Sequence, residues 1–166
     1  MPSFTHLARA LLAYAVHEHE AGHASRIDMA MAPGSFTVSD DGRGMGLDRG
    51  RYVEDLISLV SDTPAAVQLH GVGLSVVAAS TPQLVIESHR GGRLWRQSFA
   101  WGIPDGPPSD QPADPGRRGT KVTMLTAPSE RDVDEAAIQL HAQLLRNRHP
   151  GLSMSLQLES RAGRAG

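Results

Sequence analysis

The chain has no cysteine in its 166 residues, which excludes disulfides, thiolate metal sites and a cysteine nucleophile. It is almost without lysine as well: Lys121 stands alone, and the other basic side chains are arginines. That bias reads as the habit of a GC-rich genome and carries no function. A basic surplus is missing too. The formal net charge is −2 and the pI about 6.4, against a strongly basic nucleic-acid surface, so no direct DNA binding is expected. No segment is apolar enough to span a bilayer, and Met1 to Leu12 lacks the pattern of an export signal, so the expectation is a cytoplasmic protein without membrane contact. What the chain does have is 40% apolar residues over a length that suits one domain, expected over 1–160 with a disordered tail at 161–166.

Local patterns predict the elements. Phe4 to Glu20 has helical spacing and stops at Gly22. Ser25 to Met31 alternates as a strand, Pro33-Gly34-Ser35 turns, and Phe36 to Ser39 returns. Asp48 to Val60 is expected as a helix, Ser61 to Gln68 as a mobile connection, and Gly71 to Ala79 as a glycine-opened helix. Strands are expected at Gln83–His89, Leu94–Trp101 and Thr120–Leu125, with Gly91-Gly92 as a hairpin turn between the first two. Gly102 to Arg118 reads as a long loop. Asp132 to Arg146 reads as a helix with Val133, Ala137, Leu140 and Leu144 inward, and Leu152–Leu158 as a last strand. This mixture predicts an α+β fold, a two-layer sandwich.

Two glycine-rich clusters carry the chemistry. Ser39-Asp40-Asp41-Gly42-Arg43-Gly44-Met45 closes a strand, where glycines allow close approach and a carboxylate can accept a hydrogen bond from an amine such as that of adenine. On spacing alone an ordinary Asp-Gly turn is the stronger reading. Leu69-His70-Gly71-Val72-Gly73-Leu74-Ser75 opens a helix with backbone N–H groups that can hold phosphate. It is not a Walker loop, and it follows no strand of a βαβ unit.

Taken together, in this order and with Gly119-Thr120 downstream, the clusters resemble the GHKL (Bergerat-fold) ATPases of the gyrase B and topoisomerase branch. Asp40 to Met45 is similar to that family's Asp-x-Gly-x-Gly adenine motif, and Leu69 to Val77, LHGVGLSVV, to its phosphate-binding segment. Arg96-Gln97 followed by Trp101-Gly102-Ile103-Pro104 resembles the stretch bordering the adenine mouth. The resemblance runs from Phe4 to Leu158. It implies a mixed, mainly antiparallel sheet with helices on one face, and ATP or ADP as ligand. It implies roles as well. Asp40 would accept the adenine amine with Thr120 holding a water between them, and Met45 would pack on the base. The backbone of Gly71, Val72 and Gly73, in the segment with Leu69 and His70, would hold phosphate, with Gly42 and Gly44 shaping the adenine loop. Glu18 and Arg43 would pair at the pocket edge, shared with Tyr14 and Arg96.

The chain departs from the pattern on its first helix. The family carries Glu-x-x-Asp-Asn there, the glutamate as general base and the asparagine as Mg²⁺ ligand. The resemblance puts Ala10, Ala13 and Tyr14 at those positions. Loss of a positioned base lowers a rate by roughly 10²–10⁴. His17, one turn after Tyr14, is a substitute base by position, although an exposed helix histidine is the plainer reading. The lid region, Leu47 to Gln68, is short and has Arg49 and Arg51 but no lysine. The chain is also expected to stop after this domain, without the second domain that supplies a lysine to the γ-phosphate, and so not to be a topoisomerase by itself. The expectation is an adenine-nucleotide-binding module with little or no hydrolysis, Mg²⁺ binding in question, and a protein partner that reads its state. The alternatives are a slow ATPase using His17 or a partner's residue, and an interaction scaffold that has lost its ligand. Anti-sigma kinases share the fold but need the missing helix residues. Gyrase-type inhibitors are plausible ligands through Asp40, Thr120 and Arg96, and the expected state is a monomer or weak dimer.

Overall fold

The computed structural model describes residues 3–44, 74–126 and 133–159. Helix α1 runs Phe4–Glu20, its first turn capped by the Ser3 hydroxyl, which accepts from the His6 N–H at 3.1 Å. Its apolar spacing buries Leu7, Ala8, Leu11, Leu12, Ala15 and Val16 on one side. Strands β1, Arg26–Ala32, and β2, Ser35–Asp40, form an antiparallel pair. Helix α2, Leu74–Ala79, precedes β3, Gln83–Arg90, and β4, Arg93–Ala100, which meet across the Gly91-Gly92 turn. After β5, Ile103–Pro104, and β6, Ser109–Pro112, come β7, Gly119–Leu125, helix α3, Glu135–Arg148, and β8, Ser153–Leu158.

The described strands join one sheet in the order β5-β4-β3-β7-β2-β1-β8, with β6 also on β4. Every pairing is antiparallel except β1 with β8. Alternation gives the sheet two unlike faces. Ile27 and Met29, Phe36 and Val38, Leu84 and Ile86, Phe99, and Val122 and Met124 form a single core with the buried sides of the helices. The opposite face carries residues such as Asp28, Thr37, Glu87, Arg96 and Lys121. This is the two-layer α+β sandwich the sequence predicts.

The structure departs from the sequence expectation in two elements. Gly102 to Arg118 is not a plain loop, because β5 and β6 add to the outer edge of β4. That edge presents unpaired backbone groups, and a proline-containing segment can serve as an edge strand because proline need not donate inward. Helix α3 is also rotated from its predicted phase. Ile138, Ala142 and Leu145 are its buried residues, whereas Leu140 and Leu144 are 64% and 54% exposed; Val133, just ahead of the helix, is buried as predicted. The sequence offers two adjacent apolar stripes, and one of them joins the core. Asp134 caps α3, accepting from the Ala137 N–H at 3.2 Å, and its own N–H donates to Thr5 Oγ1 of α1 at 2.8 Å. The helix predicted at Asp48–Val60, the connection at Ser61–Gln68, the start of the helix at Gly71 and the tail at 161–166 lie outside the described residues.

Candidate functional site

Strand β2 ends where three elements converge: the C-terminal turn of α1, the start of β7 and the end of β3. Asp40 shares the helix-facing side of β2 with Phe36 and Val38, so its carboxylate points between the sheet and α1. Its Oδ1 accepts from the Gly42 N–H at 2.8 Å and the Thr120 N–H at 3.4 Å, while Oδ2 accepts no hydrogen bond among the described residues. Burial pushes the Asp40 carboxyl up to about 6, against those two N–H groups, and the neighbouring charges of Glu18 and Asp41 add to the rise.

Asp41 does the reverse. Its Oδ1 accepts from the backbone of Ser25 at 2.8 Å and Arg26 at 3.0 Å, and Oδ2 accepts from the Ser25 hydroxyl at 2.8 Å. Burial works against its charge, yet those bonds outweigh burial and hold the carboxyl below its usual range. One aspartate therefore faces the space between the sheet and α1, and the other pins the start of β1.

The glycines here are fixed by space. A Cβ on Gly42 would collide with Glu18 Cγ and Asp40 Oδ1. Gly119 has φ +127°, and a Cβ there would run into the carbonyl of Asp40. Gly44 sits against the end of β3, its carbonyl accepting from Arg90 Nη1 at 3.4 Å.

On α1, Ala10, Tyr14 and Glu18 follow one another at four-residue spacing and so share a side. Glu18 takes the Arg43 guanidinium through two bonds, Nε to Oε1 at 2.9 Å and Nη2 to Oε2 at 3.0 Å, and also the Arg43 backbone N–H at 3.0 Å. The Arg43 side-chain bond holds the Glu18 carboxyl below its usual range. Tyr14 is partly buried against the core. Burial pushes its hydroxyl well above the usual range, the Asp40 and Glu18 charges push it further, and only Arg43 opposes. These electrostatic neighbours place Tyr14 in one cluster with Asp40, Glu18 and Arg43.

The structure thus brings Asp40, Gly42, Arg43, Gly44, Glu18, Tyr14 and Thr120 together. Arg96 is not among them. It sits between the buried Trp95 and Gln97, hence on the opposite face of the sheet, and pairs there with Glu87 at 3.3 Å. His17 is exposed, and Ala13 and Ala10 are half-buried and carry no polar atom on the side chain. Met45, Leu69, His70, Gly71, Val72 and Gly73 lie outside the described residues.

Two contributors escape a reading of the sequence. Ser88 is buried on β3, opposite Thr120 on β7, with its hydroxyl beside Gly44. A small polar residue continuing the Leu84, Ile86 alternation is the signal that could have found it. Arg118 donates from Nε to the Asp41 carbonyl at 3.0 Å and from Nη2 to the His23 carbonyl at 3.3 Å, tying β7 to the α1–β1 turn. Nothing local marks that contact.

No family model matches the chain. Its relatives are more telling. The gyrase B of Micrococcus luteus is 36% identical over 61% of this chain and 16% of its own length. The novobiocin-resistant gyrase B of Streptomyces niveus is 30% identical over 96% of this chain and 26% of its own. Among solved structures, the 43K ATPase domain of Thermus thermophilus gyrase B, in complex with an aminocoumarin, superposes with a TM-score of 0.78. It is 27% identical and the match covers 93% of this chain and 43% of that one. The chain belongs to the GHKL ATPase family, close to gyrase B. It spans about a quarter or less of the length of these gyrase B proteins. As a GHKL domain it has the family's nucleotide-binding architecture, and none of its described helices is long and apolar enough to cross a membrane.

Proposed function

We propose that this GHKL domain binds adenine nucleotides, ATP or ADP, and hydrolyses them slowly or not at all. The observation that carries the reading is the Asp40 carboxylate, held through Oδ1 by Gly42 and Thr120 with Oδ2 left for a ligand donor. An exocyclic amine is a donor suited to that oxygen. The low hydrolysis rests on α1, where Ala10, Ala13 and Tyr14 offer no group that can take a proton from water near neutral pH. Nucleotide would then act by population shift, its binding favouring one arrangement that a protein partner reads. Gyrase-type inhibitors are ligands of the same kind through Asp40 and Thr120, without help from Arg96, which is engaged on the other face.

The test is titration calorimetry with ATP and ADP, paired with a phosphate-release assay. Asp40→Asn is expected to weaken binding about 10- to 100-fold, the worth of one hydrogen bond to a charged group. Turnover is expected at least about 100-fold below a common enzymatic rate of about 10 s⁻¹. A chain with no affinity for any adenine nucleotide refutes the binding half, and ordinary turnover refutes the other.

A further inference from the structure

One side of α3 is left uncovered by the core. Leu140 and Leu144 are each more than half exposed, and Ala136 ahead of them is exposed as well. With Arg148 they recur every four residues, so they form a single row along the helix. Ile138, Ala142 and Leu145 occupy the opposite, buried side. Single exposed leucines are ordinary, whereas apolar side chains in a row with a polar rim suit contact with another surface. Gln139, Gln143 and Asn147 form that rim on one flank, where Gln143 Nε2 donates to Asn147 Oδ1 at 3.1 Å.

The other flank is basic. His141 is half-buried between the row and α1, where Arg9 Nη2 donates to its Nδ1 at 3.4 Å. Arg148 lies two turns beyond His141 on the same side of α3. Arg9 and Arg148 are both exposed, and neither pairs with a carboxylate among the described residues. The acids of α3 lie at its start: Asp134 is engaged as the cap, and Glu135 accepts from Gln139. Two guanidinium groups beside two leucines thus face solvent with their charge unanswered. That set fits carboxylates placed next to apolar side chains on a partner. A second copy fits less well: seated antiparallel on the same leucines, it would bring basic flank against basic flank. A bilayer fits less well too. Helices that lie on one carry Lys and Arg across the polar face, which here holds two glutamines and an asparagine.

We propose that this face of α3, with Arg9 of α1 at its side, docks an acidic amphipathic helix of a protein partner. The partner helix lays large apolar side chains, four residues apart, on Leu140 and Leu144. Its Asp or Glu side chains meet Arg9 and Arg148. None of these residues belongs to the Asp40 cluster, so the surface stands whether or not nucleotide binds there.

The experiment is selection from a displayed library of random peptides on the whole chain, followed by fluorescence anisotropy with the selected peptides, labelled. The same peptides are measured on the double variant Leu140→Ser, Leu144→Ser and on Arg148→Glu, with thermal melts to confirm that both fold. Selected peptides are expected to carry Asp or Glu next to Leu, Phe or Trp at helical spacing. The leucine variant is expected to weaken their binding at least about 10-fold. Arg148→Glu is expected to weaken it about 5- to 10-fold and to regain part of the loss with peptides whose acids are replaced by lysine. Selection of no peptide, or of peptides without acidic residues, overturns the inference. So does equal binding to all three proteins, which would put the peptides elsewhere. Sedimentation that shows a dimer of the unaltered chain and a monomer of the leucine variant overturns it in favour of a second copy. Binding to phosphatidylglycerol vesicles that Arg148→Glu abolishes, with no peptide selected, overturns it in favour of a membrane. The function proposed above survives each of these outcomes, because its own test is calorimetry at the Asp40 cluster.

Discussion

Asp40 and Asp41 are identical residues with opposite chemistry, and the difference is geometric. Strand alternation already puts Asp40 on the side of Phe36 and Val38, so its inward direction is readable from the sequence. The clamp formed by Asp41 is not readable, because it depends on the register that brings Ser25 and Arg26 beside the end of β2. The titration of Asp40 yields a prediction. Its folded value of about 6 lies above its ordinary value of 3.8, so folding favours the protonated form. Its contribution to stability is therefore full below about 4 and is lost as pH rises through about 6. Ligand affinity should run the other way, because the charged carboxylate is the better acceptor: affinity for an adenine ligand is expected to fall below pH 6 by up to about tenfold per unit. Calorimetry between pH 5 and 8 measures this, and a flat profile would mean that Asp40 does not meet the ligand. Glu18 and Asp41, both held below their usual range, have the opposite sign: their stabilisation is present near neutrality and lost in acid.

Among the elements, α1 and the strands follow closely from periodicity, whereas α3 shows where periodicity stops deciding. Its sequence carries apolar residues on two neighbouring stripes, and the cap at Asp134 with its bond to Thr5 accompanies burial of the stripe of Ile138, Ala142 and Leu145 in the core. Ile138→Ala is accordingly expected to cost about 2–5 kcal/mol, as for other large-to-small core changes. Leu140→Ala, on the exposed stripe, should stay within about 0.5 kcal/mol. Urea unfolding of both variants distinguishes the two phases, and equal costs would contradict the observed one. The edge strands β5 and β6 were illegible for a related reason: Ser109–Pro112 has no alternation of its own and is extended only because β4 offers an edge.

For the molecule as a whole, the site depends on sheet order rather than on chain proximity. Asp40 and Thr120 are 80 residues apart in sequence and meet because β2 and β7 are neighbours. No local pattern in the sequence contains that adjacency; only the resemblance to a family suggests it, and the phosphate segment lies outside the described residues. The same order sets where the fold should hold longest. Among the described strands β4, β3, β7, β2 and β1 are paired on both sides, with β3 and β7 near the middle of the order, whereas β8 and the β5–β6 edge are paired on one. Hydrogen exchange is expected to be slowest in β3 and β7 and fastest at the two edges, and early exchange in β7 would show that the sheet does not open from its margins.

The back-to-back aspartates have a consequence for descent. A mutation at 41 removes three hydrogen bonds that hold β1 in place, whereas Asp40→Asn relieves a buried carboxylate, keeps an amide oxygen for the Gly42 and Thr120 N–H groups and alters only the acceptor proposed for the ligand. Lineages that abandoned such a ligand would thus be free to exchange Asp40 for asparagine while still bound to keep Asp41, so that the second letter of the pair would outlive the first.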